Sequence, residues 1–269
     1  MKFSVLMSVY KDDNPLYLNQ SIESIWIHQT LKPTQIVLVQ DGVLTEALYG
    51  VVNKWKQKVG DSFTIVSLDR NMGLGAALNR GLLYCKYELV ARMDSDDVAL
   101  PYRFQIQVEY MIKNCEIIAS SGYVEEWDEE MGTLLGIRYV PLGTDSIIKM
   151  ARFRSPLSHP ASIFRRDIVL SLGGYPELRK AQDFALWSLL LKNKYKLSNL
   201  GTVLVKMRAG NSMIYRRGFS HLRYEMELLK YQRMIGFLPF GLFCVNFVLK
   251  AGLRLSPGFV KKIAYKFLR

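Results

Sequence analysis

Cysteine is scarce here: the chain holds 3 in 269 residues. Cys85, Cys115 and Cys244 are scattered and odd in number, with no metal-ligand spacing. That excludes a disulfide framework or thiolate metal site and suits buried small apolar residues in a reducing compartment. The opening lacks an h-region and a small-residue cleavage site, so no secretory leader is expected. Also missing is an apolar run long enough to span a bilayer. Met234–Leu249 is 16 residues without a charge, short of the roughly 20 required, and Pro239, Gly241 and Asn246 weaken it. No internal repeat and no low-complexity segment is present. Acidic residues are nearly absent from the last quarter: residues 201–269 hold 13 Lys and Arg against Glu225 and Glu227.

That last deficit shapes the charge. The net formal charge is +12, and the tail carries almost all of it. The first 200 residues form a nearly neutral body, and a 49% hydrophobic content supplies a large core. The length suits one domain with an appendage. A cationic tail suits nucleic acid or an anionic membrane surface. Ser256–Arg269 sets Phe259, Val260, Ile263, Ala264 and Phe267 among Lys261, Lys262, Lys266 and Arg269. Apolar and basic residues on opposing faces fit a helix lying in the membrane interface; a C-terminal helical pair packed on the body is the alternative.

The front half alternates strand and helix signals. Strands are expected over Phe3–Val9, Gln35–Gln40, Phe63–Leu68 and Glu88–Met93. Helices are expected over Pro15–Gln29 with Asn14 as N-cap, Leu44–Val59, and Gly73–Cys85. Strands separated by helices of this length imply parallel pairing with right-handed crossovers, an α/β fold. Further on, helices are expected over Pro101–Lys113, Gly143–Arg152 and Ala181–Lys194. Two or three strands should run through Val140, and a late strand over Leu200–Met207.

Chemistry gathers where strands end. The fourth strand runs into Asp94-Ser95-Asp96-Asp97, three carboxylates within four positions. Open α/β sheets bind ligands at this carboxyl edge. A divalent cation carrying a diphosphate would relieve the mutual repulsion, since Mg²⁺ takes one or two carboxylates plus phosphate oxygens. A solvated acidic turn before a helix uses the same residues. Four other sites join it: Val9-Tyr10, Asp41-Gly42, Asn71–Asn79, and Gln182-Asp183-Phe184. Asp41 can accept the N3–H of a uracil or bond ribose hydroxyls. Gly73, Gly75 and Ala76 allow a ligand close to the backbone, and the amides of Asn71 and Asn79 can read a base or orient the loop. Asp183 opens a helix, either as its N-cap or as a general base taking a proton from an attacking hydroxyl.

These segments together resemble the inverting family 2 glycosyltransferases of GT-A fold, especially bacterial members that extend lipid-linked O-antigen, capsule or exopolysaccharide repeats. The resemblance is carried by Val5–Tyr10, Gln29-Thr30 before Pro33, Ile36–Gly42, Asn71–Gly81, Ala91–Asp97, His159-Pro160 and Arg216–Gly218. It implies a GT-A domain over 1–217, nucleotide-binding over 1–100 and acceptor-binding and catalytic over 101–217, with a basic amphipathic membrane-associating tail over 218–269. It places Val9, Tyr10, Asp41, Asn71, Asn79, Asp94, Ser95 and Asp96 at the nucleotide, Asp94 and Asp96 at a Mn²⁺ or Mg²⁺ ion, and Asp183 as the base. The family usually carries Glu-Asp at 182–183; here Gln182 leaves one carboxylate. Glu125 and Glu126 could face the acceptor sugar or form a solvated strand edge. His159 could touch diphosphate or acceptor or be an ordinary loop histidine.

The implied reaction is displacement at a UDP-hexose, with UDP-galactose or UDP-glucose the expected donor and a polyprenyl-diphosphate-linked saccharide the acceptor. One carboxylate base and no protein nucleophile imply inversion, hence a β-linkage. The implied location is the cytoplasmic face of a bacterial inner membrane, held peripherally. Two alternatives were weighed. A nucleotidyltransferase of sugar phosphates would want a glycine-rich basic loop after the first strand, where this chain has Lys11-Asp-Asp-Asn14. A nucleic-acid binder would want more than a basic tail mixed with Phe and Leu and lacking a recognisable module, so no nucleic-acid partner is expected.

Overall fold

The computed structural model describes residues 1–209 and 219–255. The first four strands, β1 (Phe3–Val9), β2 (Gln35–Gln40), β3 (Phe63–Ser67) and β4 (Leu89–Arg92), are parallel neighbours in the order β3-β2-β1-β4. Three helices cross between them: α1 (Pro15–Trp26), α2 (Glu46–Val59) and α3 (Leu74–Leu82). The alternation of side chains explains why these strands are apolar throughout. Phe3, Val5, Met7, Val9, Ile36 and Leu38 face one core with α1 and α2. Leu6, Val37 and Val39 face the other, with α3. Successive residues of a strand point to opposite faces, and helices cover both. The caps also follow the sequence: Asn14 Oδ1 accepts from Leu16 N at 2.8 Å, with Pro15 opening α1.

The second half departs from simple parallel winding. After β4 comes a two-residue strand β5 (Val98–Ala99), then α4 (Arg103–Lys113), β6 (Ile117–Trp127), β7 (Leu134–Arg138) and α5 (Thr144–Ala151). There follow β8 (Ile163–Arg165), α6 (Arg166–Ser171), α7 (Gln182–Lys192) and β9 (Lys196–Arg208). The sheet continues β4-β8-β6-β9-β5, with β7 paired to β6. β8 is antiparallel to both β4 and β6, whereas β6 and β9 are parallel. β5, β8 and α6 were not expected from the sequence. Each is six residues or fewer, and pairing between distant segments sets the strands. The late strand is also longer than the expected Leu200–Met207, because β6 offers a continuous partner from Ile117 to Trp127.

The tail begins as two helices, α8 (Phe219–Met234) and α9 (Phe240–Leu255). They are partly docked: Leu228, Leu229, Gln232, Leu238 and Asn246 are buried. Gln232 Nε2 donates to Ser188 Oγ at 2.7 Å, and Asn246 Nδ2 donates to the Arg152 carbonyl at 2.9 Å. The polar Asn246, read from sequence as a weak point of an apolar stretch, is thus a tether to the body. The opposite side of α9 stays open, with Phe240 66%, Val248 67% and Leu249 58% exposed. No helix among the described residues is long and apolar enough to cross a membrane. The amphipathic segment Ser256–Arg269 and Arg216–Gly218 lie outside the described residues.

Candidate active site

Strand ends bring the nucleotide-side residues together. Asp41 N donates to the Val9 carbonyl at 2.8 Å, which sets the ends of β1 and β2 side by side. The Asp41 carboxylate is buried and accepts from Met72 N at 2.6 Å and Gly73 N at 3.0 Å. Its first task is therefore to shape the Asn71–Gly73 loop and the start of α3. Each oxygen keeps a further lone pair. Gly42 has φ +89°, and a Cβ there would stand 2.7 Å from Asn71 N. Gly42→Ala is expected to cost roughly 2–4 kcal/mol through left-handed strain and overpacking together. Urea denaturation measures it; a loss below about 1 kcal/mol would mean the loop yields.

Asn79 departs from the expected nucleotide contact. Its Nδ2 donates to the Tyr175 carbonyl at 2.8 Å, and its Oδ1 accepts from Tyr175 N at 2.7 Å. Both ends of the amide are engaged, so Asn79 joins α3 to the turn before α7. Gly174, at φ +81°, lies so close that a Cβ would meet Asn79 Oδ1 at 2.3 Å. The turn at Gly173-Gly174, both at positive φ, allows that contact.

The acidic turn is asymmetric. Asp94 is ion-paired with the buried Arg92, and its carbonyl accepts from Ser21 Oγ at 2.7 Å. Asp97 is buried and accepts from Arg208 N at 3.1 Å. Burial, then the Asp96 and Asp94 charges, push its carboxyl well above the usual range. Beneath the turn, Arg103 Nη2 donates to the Arg92 carbonyl at 2.5 Å, and the Asp97 charge opposes the lowering of its pKa by burial. Asp96 stands at the exposed tip. Surrounding protein thins its hydration, and Asp94 and Asp13 repel it, which together raise its carboxyl to about 6.

Asp13, on the loop after β1, is the residue that sequence reading missed. Its Oδ2 accepts from Tyr10 N and Ser95 Oγ, each at 3.0 Å, and burial raises its carboxyl to about 6. Ser95, expected at the nucleotide, thus ties Asp13 to the turn. The signal was available: a carboxylate after a strand at this edge is the same clue that marked Asp41.

Asp183 occupies the first turn of α7, set there by Ala181 at φ +58°. Among the described residues, none is hydrogen-bonded to its carboxylate. Its charge reaches His159 and Tyr175, as do the charges of Arg92 and Asp94. Asp183 and the Arg92–Asp94 pair therefore both lie near the buried His159–Tyr175 pair. Gln182 is buried against Gly75, with its Oε1 unpartnered. The neighbour of Asp183 is thus a packing residue on α3.

His159 is buried, with its Nε2 3.1 Å from the Tyr175 hydroxyl. Burial lowers its pKa, so it is neutral at pH 7. Glu126, expected at the acceptor, is buried and bonded to Arg138 at 2.5 Å and 3.1 Å. Glu125 Oε2 accepts from Trp127 Nε1 at 2.9 Å. Both carboxylates are engaged in the β6–β7 region, because β7 brings Arg138 beside Glu126.

Among the described residues no group of three or more His, Cys, Asp or Glu side chains closes around an ion. What is present is the exposed Asp96 carboxylate with Asp94, ion-paired to Arg92, beside it. That suits a hard cation completed by substrate phosphate oxygens rather than an all-protein cage.

The fold defines the class. The S. aureus TarS 1–349 structure in complex with UDP superposes with a TM-score of 0.64 at 18% identity, over 93% of this chain and 71% of that one. The chain spans 39% of the longer TarS chain. This likeness places the α/β sheet and its flanking helices among GT-A folds. Within that class the chain belongs to glycosyl transferase family 2, whose profile matches residues 4–172. It is 39% identical to an uncharacterized glycosyltransferase of Haemophilus influenzae, over the whole of both chains. It is 37% identical to the amylovoran biosynthesis glycosyltransferase AmsE of Erwinia amylovora, over 98% of each. It is 35% identical to an Escherichia coli UDP-Gal:alpha-D-GlcNAc-diphosphoundecaprenol beta-1,3-galactosyltransferase, over 99% of this chain and 98% of that one.

Proposed function

We propose that the protein is an inverting hexosyltransferase that moves galactose or glucose from a UDP-sugar to a hydroxyl of a polyprenyl-diphosphate-linked saccharide. The product is a β-linkage in exopolysaccharide or O-antigen assembly. The observation that supports this reading is Asp183, without a hydrogen-bond partner among the described residues and close to the same buried His159–Tyr175 pair that feels Asp94 of the acidic turn. The full-length similarity to the galactosyltransferase supports the substrate class.

In this reading Asp41 and Tyr10 border the nucleoside, with Asn71 on the same loop, and residues 1–100 bind the donor. Residues 101–217 supply the acceptor side. Asp94 and Asp96 would hold Mn²⁺ or Mg²⁺, which when bound neutralises the departing diphosphate. Asp183 takes the acceptor hydroxyl's proton as that oxygen attacks the anomeric carbon from the face opposite UDP. The carbon–oxygen bond to UDP breaks, the new glycosidic bond forms, and the configuration inverts. Little covalent chemistry falls to the protein, so positioning supplies much of the rate. Incubation with a panel of UDP-hexoses, Mn²⁺ and a GlcNAc-diphosphate-lipid acceptor tests this; no transfer from any donor, with UDP release absent, would sink it.

The tail reading follows from the acceptor. The exposed side of α9, flanked by basic residues, would rest on an anionic lipid surface at the inner membrane. Phe240→Glu with Val248→Glu and Leu249→Glu leaves the buried Asn246 face intact. That variant is expected to lose at least half its co-sedimentation with phosphatidylglycerol vesicles; unchanged sedimentation would reject this face as the contact.

A further inference from the structure

Arg208 is the last residue of β9 and lies 112 positions from Asp96, yet it touches the acidic turn in two places. Its backbone N–H donates to Asp97 Oδ1 at 3.1 Å. Its Nη1 donates to the Asp96 carbonyl. The other arms of the guanidinium reach away from the turn. Nη2 donates to Gln20 Oε1 on α1. Nε donates to the Glu129 carbonyl, in the loop after β6, at 3.0 Å. The Arg208 Cζ lies over the Tyr17 ring, 4.0 Å from the ring centre. One side chain thus spans α1, the β6–β7 loop and the acidic turn.

We infer that Arg208 is a positioning residue of the donor site: a strut that fixes the backbone of Asp96 so that its carboxylate faces the nucleotide. The chain needs such a strut. The turn leaves β4 in the middle of the sheet and rejoins it at the far edge as β5, which pairs with β9 at Val98↔Lys206. Between those anchors three carboxylates repel one another, and repulsion favours opening the turn. A guanidinium supplies several donors in a rigid fork and a flat face for the tyrosine. Lysine keeps the charge but cannot make three directed bonds and stack at once. Charge alone therefore does not account for the contacts, and Arg208→Lys separates the two explanations.

The inference rests on the UDP-sugar reading for its functional arm, so the experiment has two arms. The first needs no ligand: hydrogen–deuterium exchange over residues 93–99 in the full chain. Arg208→Ala and Arg208→Lys are expected to raise exchange there by about tenfold, with exchange over β1 and β2 unchanged. The second is calorimetric titration with UDP-galactose plus Mn²⁺, alongside steady-state kinetics. The dissociation constant and the donor KM are expected to rise about ten- to a hundredfold, with the acceptor KM and melting temperature nearly unchanged. Should Arg208→Ala fold poorly, Tyr17→Leu with Gln20→Ala removes the shelf beneath the guanidinium, and a rise of about threefold is expected. Unaltered exchange, or raised exchange with wild-type donor affinity, overturns the strut. Wild-type protein that binds no UDP-sugar defeats the substrate reading, and the exchange arm then still decides whether Arg208 holds the turn.

Discussion

Asp183→Asn is expected to lower the transfer rate roughly a thousandfold, the scale typical of removing a positioned general base. The amide preserves volume and the first turn of α7, so Phe184, Leu186 and Trp187 should keep their burial. Affinity for UDP-galactose with Mn²⁺ should change by less than about threefold, because the proposed reaction sets Asp183 against the acceptor's oxygen rather than the nucleotide. The acceptor KM should stay close to wild type if the carboxylate matters only as the hydroxyl loses its proton. Transfer assays on the lipid-linked acceptor and calorimetry on the same preparation check both halves. Loss of donor binding in step with activity would reassign Asp183 to holding the cleft together.

Asp96→Asn should do the opposite. Substitution of a residue that merely supports a metal ligand typically costs 10–100-fold in metal affinity. Loss of the ligand itself is expected to cost about a hundredfold or more in Mn²⁺-dependent donor binding. The wild-type site should also be pH-sensitive in a diagnostic window. Asp96 and Asp13 both have carboxyls raised to about 6, and a cation requires the ionised forms. Binding should therefore be complete above about pH 7, weaken as pH falls through 6, and release protons when measured near 6. An ordinary carboxylate pair would stay ionised down to about pH 4. UDP-galactose is the right probe, since its diphosphate has no ionisation in that window, unlike free UDP. Affinity that stays flat from pH 7.5 to 5, or an Asp96→Asn variant that binds as wild type, would remove the acidic turn from the donor site.

The first half of the fold was legible because local and global preferences agree there. Phe3–Val9 and Gln35–Gln40 read as buried strands, and Asn14-Pro15 marks a helix start that the structure keeps. In the second half, β8 is three residues between β4 and β6. So short a strand carries no readable period, and its place is set by Phe164 and Ile163 pairing with strands on both sides. The candidate site divides the same way. Asp94 to Asp97 announced themselves by clustering. Asp13 was overlooked because its loop was read for the glycines it lacks. Arg208 gave no local sign, since its partners lie in α1, the acidic turn and the β6–β7 loop.

The order of residues alone determined where carboxylates meet the sheet edge: an apolar strand must stop before a charge, and parallel strands stop on the same side. Only the tertiary structure decided which of those acids are engaged by protein. Glu126 meets Arg138 across a strand pair, Asp97 meets the Arg208 amide, and Asp41 meets the amides of Met72 and Gly73. Among the described residues, the Asp96 carboxylate is left exposed and the Asp183 carboxylate without a hydrogen-bond partner. A carboxylate's availability depends on donors brought within about 3 Å, and folding, rather than spacing along the chain, supplies those donors.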